Sequence, residues 1–185
     1  MKRILLSLAL GASFSASAID LMPATVGLHL GSAHLQSAVS APGSRGWNDA
    51  TQGIYAIWSN GLTLGHVPRN SLFQPTTYAG WTSPEWKPFA VPVGLSATVG
   101  AASGYDKLVA NLAPGQAAPP GTRVVNRCNA SLGCRNVAVK NTIVPLASIN
   151  ASGPVSGNLR WRVSLLAKTL EDSSAALMFS AEWKF

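Results

Sequence analysis

Charge is what this sequence has least of. Lys and Arg number 14 and Asp and Glu 7 in 185 residues, 11% in all, against 47% hydrophobic residues. So few charges cannot cover the surface of an ordinary soluble domain of this length. Long apolar runs are missing as well: no internal stretch approaches the roughly 20 apolar residues of a membrane-spanning helix. Cysteine occurs twice, and neither a metal-ligand cluster nor a glycine-rich phosphate cradle is present, so no metal and no cofactor is expected. The net charge of +7 comes without a basic run interleaved with aromatics on one element, so nucleic-acid binding has no support.

What is present begins at the front. In MKRILLSLALGASFSASA, Lys2 and Arg3 precede an apolar stretch from Ile4 to Leu10, and Ala16-Ser17-Ala18 has the small residues of a cleavage site. The pattern predicts a secretory signal peptide over 1–18 and a mature chain over 19–185. Export permits disulfides. Cys128 and Cys134, in RCNASLGCR, are expected to close a small structural loop worth about 2 kcal/mol.

The C-terminal AALMFSAEWKF alternates. Leu177, Phe179, Ala181, Trp183 and Phe185 share one face, and Met178, Ser180, Glu182 and Lys184 the other. Such a last strand after a signal peptide resembles the terminal strand of bacterial outer-membrane barrels. NLRWRVSLLA repeats the pattern, with Arg160 and Arg162 between Leu159, Trp161 and Val163. One face meeting lipid and the other a polar lumen explains that spacing. A hairpin centred near residue 171 sets Arg160 opposite Glu182 as a lumen ion pair, with Arg162–Glu182 the other option.

Eight segments have this character: 25–35, 51–59, 62–70, 77–85, 92–102, 141–150, 158–167 and 175–185. Connections near 60, 86–90 and 151–157 are short, and 36–50, 71–76, 103–140 and 168–174 are longer. An all-β, eight-stranded antiparallel transmembrane barrel of the outer membrane follows, monomeric, with both termini periplasmic and the long loops outside. A lumen of that size admits side chains or one slim ligand, which disfavours a porin. His34 then ends strand one at the outer rim and Asn70-Ser71 ends strand three there, about 10 Å apart by ladder spacing. Inward-folding loops are needed to bring them together. His29 and His66, mid-strand, are read as satisfied lumen histidines.

SAHL, RNSLFQPTTYAGWTS, TVGAASGY and IVPLASINASGP occur in an order that resembles the outer-membrane lipid A palmitoyltransferases. The resemblance implies transfer of a palmitoyl-like chain from an outer-leaflet phospholipid to lipid A. It makes His34 the essential histidine and Asn70-Ser71 the acidic-residue-plus-serine step. It also gives Pro145 the role of a gap in strand pairing through which the acyl chain enters from the bilayer. The chain departs from the family in carrying Asn70 where the family has aspartate, in leaving only IDLMPA for a helix before strand one, and in a longer outer loop at 103–140.

On this reading His34 is a general base, Ser71 a nucleophile or a donor to the oxyanion, and Asn70 positions His34. Gly27, Gly31, Gly80 and Gly100 leave lumen space for the chain. The outer loops carry Arg45, Arg69, Lys107, Arg123, Arg127, Arg135, Lys140 and Lys168 against Asp49, Asp106, Glu171 and Asp172, an excess of cations that suits lipid A phosphates. Two rivals stand beside it: a lipid A deacylase or phospholipase on the same barrel, and a non-enzymatic surface barrel serving adhesion, envelope stability or phage exclusion.

Overall fold

The computed structural model describes residues 21–35, 48–71, 73–88, 90–129, 133–167 and 175–185. The predicted signal peptide, Arg45 and the 168–174 connection lie outside the described residues. Nine strands are present among them: β1 (Thr25–His34), β2 (Gly53–Ile57), β3 (Leu62–Val67), β4 (Thr76–Thr82), β5 (Gly94–Asn111), β6 (Arg123–Asn129), β7 (Gly133–Ser156), β8 (Leu159–Leu166) and β9 (Ala176–Lys184). Each pairs antiparallel with its neighbours, and β5 pairs with β7, which closes eight of the nine into a barrel in the order β1-β2-β3-β4-β5-β7-β8-β9. Closure leaves the barrel without an edge strand.

Alternation sorts the side chains as the sequence predicts. Leu28, Leu64, Trp81, Val99, Ile149, Phe179 and Trp183 are exposed on the outer surface. The buried positions are largely polar: His29, Thr63, Thr82, Thr98, Asn150, Ser180 and Glu182. An apolar exterior around a polar interior is the reverse of a water-soluble barrel.

The register sets every barrel strand's long connection at one end. There β1, β3, β5 and β8 finish and β2, β4, β7 and β9 begin. At the opposite end, the β2–β3 turn places Gly61 at φ 86° and the β7–β8 turn places Gly157 at φ 53°, a region glycine enters without the clash a Cβ would make. Both ends of the described chain meet at this end, Phe185 N donating to Ala24 O at 3.0 Å.

Four expectations need correction. The stretch 151–157 is not a loop, since β7 runs through it to Ser156. A register shift between Pro154 and Ser156 accommodates the proline, which has no N–H to give. The outer excursion 103–140 is mostly strand: β5 and β7 continue past the barrel and β6 joins them. Val137, Ala138 and Val139 are almost wholly buried there, so the projection has a small core of its own. His66 faces outward, exposed, and bonds Thr77 Oγ1 at 3.0 Å, because it shares parity with Leu62 and Leu64. The glycines do not open lumen space: a Cβ on Gly27 would fall 2.1 Å from the Tyr55 ring, which occupies that room already. Gly80 and Gly100 are register partners whose strands approach too closely for any side chain.

Cys128 and Cys134 are directly opposed in the β6–β7 ladder. The side chain of Cys128 lies outside the described residues.

Candidate functional site

The lumen is divided along its length. Toward the short-turn end it is crossed by a plug of polar side chains. His29 Nδ1 meets Ser180 Oγ at 2.9 Å and its Nε2 meets Tyr78 OH at 2.8 Å, while its ring stacks on Tyr55 with centroids 4.6 Å apart. His29 is thus the satisfied lumen histidine expected of it. Tyr55 OH donates to Glu182 Oε1 at 2.8 Å. Hydroxyls of Thr63, Thr82 and Thr98 form a chain across three strands with spacings of 2.7 and 2.9 Å.

The ion pairs differ from the one expected first. Arg160 and Glu182 are register partners, as the hairpin predicts, but their charges go elsewhere. Glu182 lies 2.6 Å from Arg162 Nε, and Arg160 reaches Glu85 in the β4–β5 connection, also at 2.6 Å. Long side chains on tilted strands reach diagonal neighbours as readily as direct ones. The Arg162 Nε–H is not aligned on the carboxylate oxygen, so that contact is Coulombic rather than a hydrogen bond. Glu85 also accepts from Ser152 Oγ at 2.7 Å. Partial burial raises its carboxyl, but the Ser152 bond and the charges of Arg160, Lys184 and Arg162 outweigh this and hold it below its ordinary value.

A cavity of about 120 Å³ runs from among these polar side chains, His29, Tyr78, Thr82 and Arg162 included, toward the long-connection end. Val67, Ala102, Val144, Leu146, Leu166, Ala176 and Met178 supply its apolar wall, and His34, Asn70, Ser71 and Tyr105 also line it. Pro145 is on that wall, opposite Ala101, one step from the register shift between Ala102 and Tyr105.

His34 reaches the cavity because β1 is irregular. His29 pairs with Ser180, and Gly31 with Phe179, so Leu30 is an extra residue, a bulge. Strict alternation from His29 would send His34 outward beside Leu28 and Leu30. The extra residue restores Ser32 and His34 to the inner face, opposite Met178 and Ala176. The His34 side chain is only 5% exposed.

Its partner is one that sequence reasoning missed. His34 Nδ1 lies 2.7 Å from Asp49 Oδ1, an acid 61% exposed in the β1–β2 connection. A carboxylate accepting from Nδ1–H fixes the tautomer of the neutral ring, which puts the lone pair on Nε2. Asp49 sits in a segment without periodicity, 15 residues from the histidine, and only the fold brings it back. Ser32 N donates to the Asp49 carbonyl at 2.7 Å, so the acid is anchored by its own main chain.

Asn70 does not hold His34. It is 4% exposed, and its carboxamide donates to Thr76 Oγ1 at 2.8 Å and Gly104 O at 3.0 Å and accepts from Gln74 N at 3.0 Å. These three partners lie in the β3–β4 turn, at the start of β4 and in the neighbouring β5 bulge. Asn70 is therefore the organiser of the turn that presents Ser71. Asn70 thus shapes the turn, and Ser71 lines the cavity.

Asn48 ties the two halves together. Its carboxamide donates to the carbonyls of Arg69 and Asn70 at 3.0 and 3.1 Å, and its N–H to Ser71 O at 3.1 Å. The loop carrying Asp49 is thus fastened to the turn carrying Ser71. Two further hydroxyls on the cavity wall, Ser32 Oγ and Thr51 Oγ1, are buried without a hydrogen-bond partner. Such groups cost about 1–3 kcal/mol each, and they are ready donors for an oxygen entering the cavity.

Comparison of the chain with protein-family models, with curated proteins and with solved structures gives no match in any of the three.

Proposed function

We propose that this chain is an exported, monomeric outer-membrane acyltransferase that moves an acyl chain from an outer-leaflet phospholipid to lipid A. The observation that carries it is the His34–Asp49 pair at the mouth of a cavity that Ser71 also lines and whose wall is apolar. An acyl chain belongs against that wall, with its ester at the level of His34 and Ser71. The apolar outer surface supports a hydrocarbon surrounding, since exposed apolar area of this extent is untenable in water. The long connections then lie outside and the termini in the periplasm. In the oxidising exterior, the facing Cys128 and Cys134 are joined as a disulfide.

In the reaction, His34 Nε2 takes the proton of the acceptor hydroxyl as its oxygen bonds to the ester carbonyl carbon. The tetrahedral oxyanion accepts from Ser71 and from the buried hydroxyls of Ser32 and Thr51. The bond to the phospholipid oxygen breaks, and His34 returns the proton to that leaving oxygen. Asp49 steadies the imidazolium between the two transfers. The discontinuity at Pro145 and the adjacent bulge is the side entrance for the chain.

A hydrolase is the second reading, and the exposure of Asp49 favours it, because water reaches the dyad. Mass spectrometry of lipid A from cells expressing wild type and Ser71→Ala separates the possibilities. Acyl transfer adds one chain mass in the wild type, and the variant loses it. Lipid A that loses one chain mass, or unchanged lipid A with free fatty acid released, points to hydrolysis, and no lipid change at all to a non-enzymatic barrel.

A further inference from the structure

We infer that the projection of β5 and β7 beyond the barrel carries a binding site for a phosphate group, held between Lys107 and Lys140 above the cavity mouth. The two lysines are direct register partners in the β5–β7 ladder. Both are exposed. Like charges directly opposed on one face of a sheet destabilise it, so this pairing works against the fold that carries it. Among the described residues neither lysine has an ionic partner. An anion with several acceptor oxygens relieves the repulsion, and Cα atoms about 5 Å apart let two ammonium groups share one.

The face is decided by register. Tyr105 pairs with Thr142, and two steps on without interruption Lys107 pairs with Lys140. Tyr105 lines the cavity, so the lysines continue its wall outward. The acid between them, Asp106, has opposite parity. It is buried, and pairs with Arg123 and accepts from Gln74 Nε2. Asp49, the other acid of the rim among the described residues, is engaged by His34. Among the described residues, the lumen-side face therefore keeps two positive charges without an acidic partner where a headgroup would emerge from the cavity. Arg135 has the parity of Val137 and Val139 and so stands on the other face. The inference concerns binding and does not depend on acyl transfer taking place.

The test uses the full chain in a neutral sugar detergent, with adducts counted by native mass spectrometry. Three probes are compared: bis-phosphorylated lipid A, its fully dephosphorylated form, and inorganic phosphate. The site predicts preference for the phosphorylated lipid, and a loss of about 10-fold on either Lys107→Gln or Lys140→Gln, the scale of one charge-assisted contact. Lys107→Arg should retain binding and Arg135→Gln should leave it unchanged. Lysine-dependent binding of inorganic phosphate alone supports the same chemistry with free phosphate as its source. Binding that ignores the phosphates, or that falls equally with Arg135→Gln, overturns the proposal. Because both lysines are exposed and mutually repelling, the variants should melt no lower than wild type, which keeps the comparison interpretable.

Discussion

At the residue scale, two side chains exchange the roles that their positions suggest. Asn70 stands beside Ser71 in sequence yet spends its carboxamide on Thr76, Gly104 and Gln74. Asp49, remote in sequence, supplies the carboxylate. Asn70→Asp, which copies the aspartate of the palmitoyltransferases that the sequence resembles, should therefore fail to raise the proposed activity. It replaces a donor to Thr76 and Gly104 by an acceptor and buries a charge, so it should lower stability by about 1–3 kcal/mol, read from urea unfolding in lipid vesicles. A rise in transfer would mean that residue 70 does reach His34. Glu182 is the second residue-scale case. It is 2% exposed, accepts from Tyr55 and neutralises Arg162. Glu182→Gln leaves the guanidinium buried without its counter-charge, and a loss of about 3–5 kcal/mol is expected in the same unfolding assay. Restoring packing by Arg162→Met with Glu182→Met should recover much of it.

At the element scale, the bulge in β1 decides whether there is a site. Deleting Ala33 would leave the bulge in place but set His34 opposite Leu177, which turns it to the outer face. The barrel should still form, seen as an unaltered β-sheet circular dichroism spectrum, while activity disappears. Activity surviving the deletion would show that the histidine's direction does not matter. The β4–β5 connection makes a different claim. Glu85's carboxyl is held below its ordinary value when folded, so its contacts with Ser152 and Arg160 contribute fully above the unfolded value near 4.5. The contribution fades as pH falls through the lower folded value. Wild type should lose its stability advantage over Glu85→Gln on acidification from pH 5, followed by melting temperature against pH. Parallel curves would contradict this.

The strands were legible because their alternation is strong: Leu159 to Leu165 and Leu177 to Phe185 each give one face without exception. The bulge was not, since a single extra residue changes parity without changing composition. The strands beyond the barrel were hidden by the Gly, Pro and charged residues of 103–140, which read locally as loop. Asp49 was hidden for another reason: a side chain in an aperiodic connection has no direction until the ladder positions its ends.

At the scale of the whole molecule, one cylinder separates three environments: an apolar outside, a polar plug at one end, and a cavity at the other where His34, Asp49 and Ser71 gather. Hydrogen bonds and ion pairs among the plug's side chains tie the strands together across the lumen. The cavity mouth lies at the ends of long connections, where loops tolerate change and a rigid sheet fixes position.

The most direct measurement reconstitutes the purified protein in vesicles with lipid A and a phospholipid carrying one deuterated acyl chain, and follows the label by mass spectrometry. The account predicts deuterated chain appearing on lipid A with wild type, at a rate about 100-fold lower with Asp49→Asn, the scale of general-base assistance, and not at all with His34→Ala. Label that stays on the phospholipid, or transfer indifferent to Asp49, would contradict it.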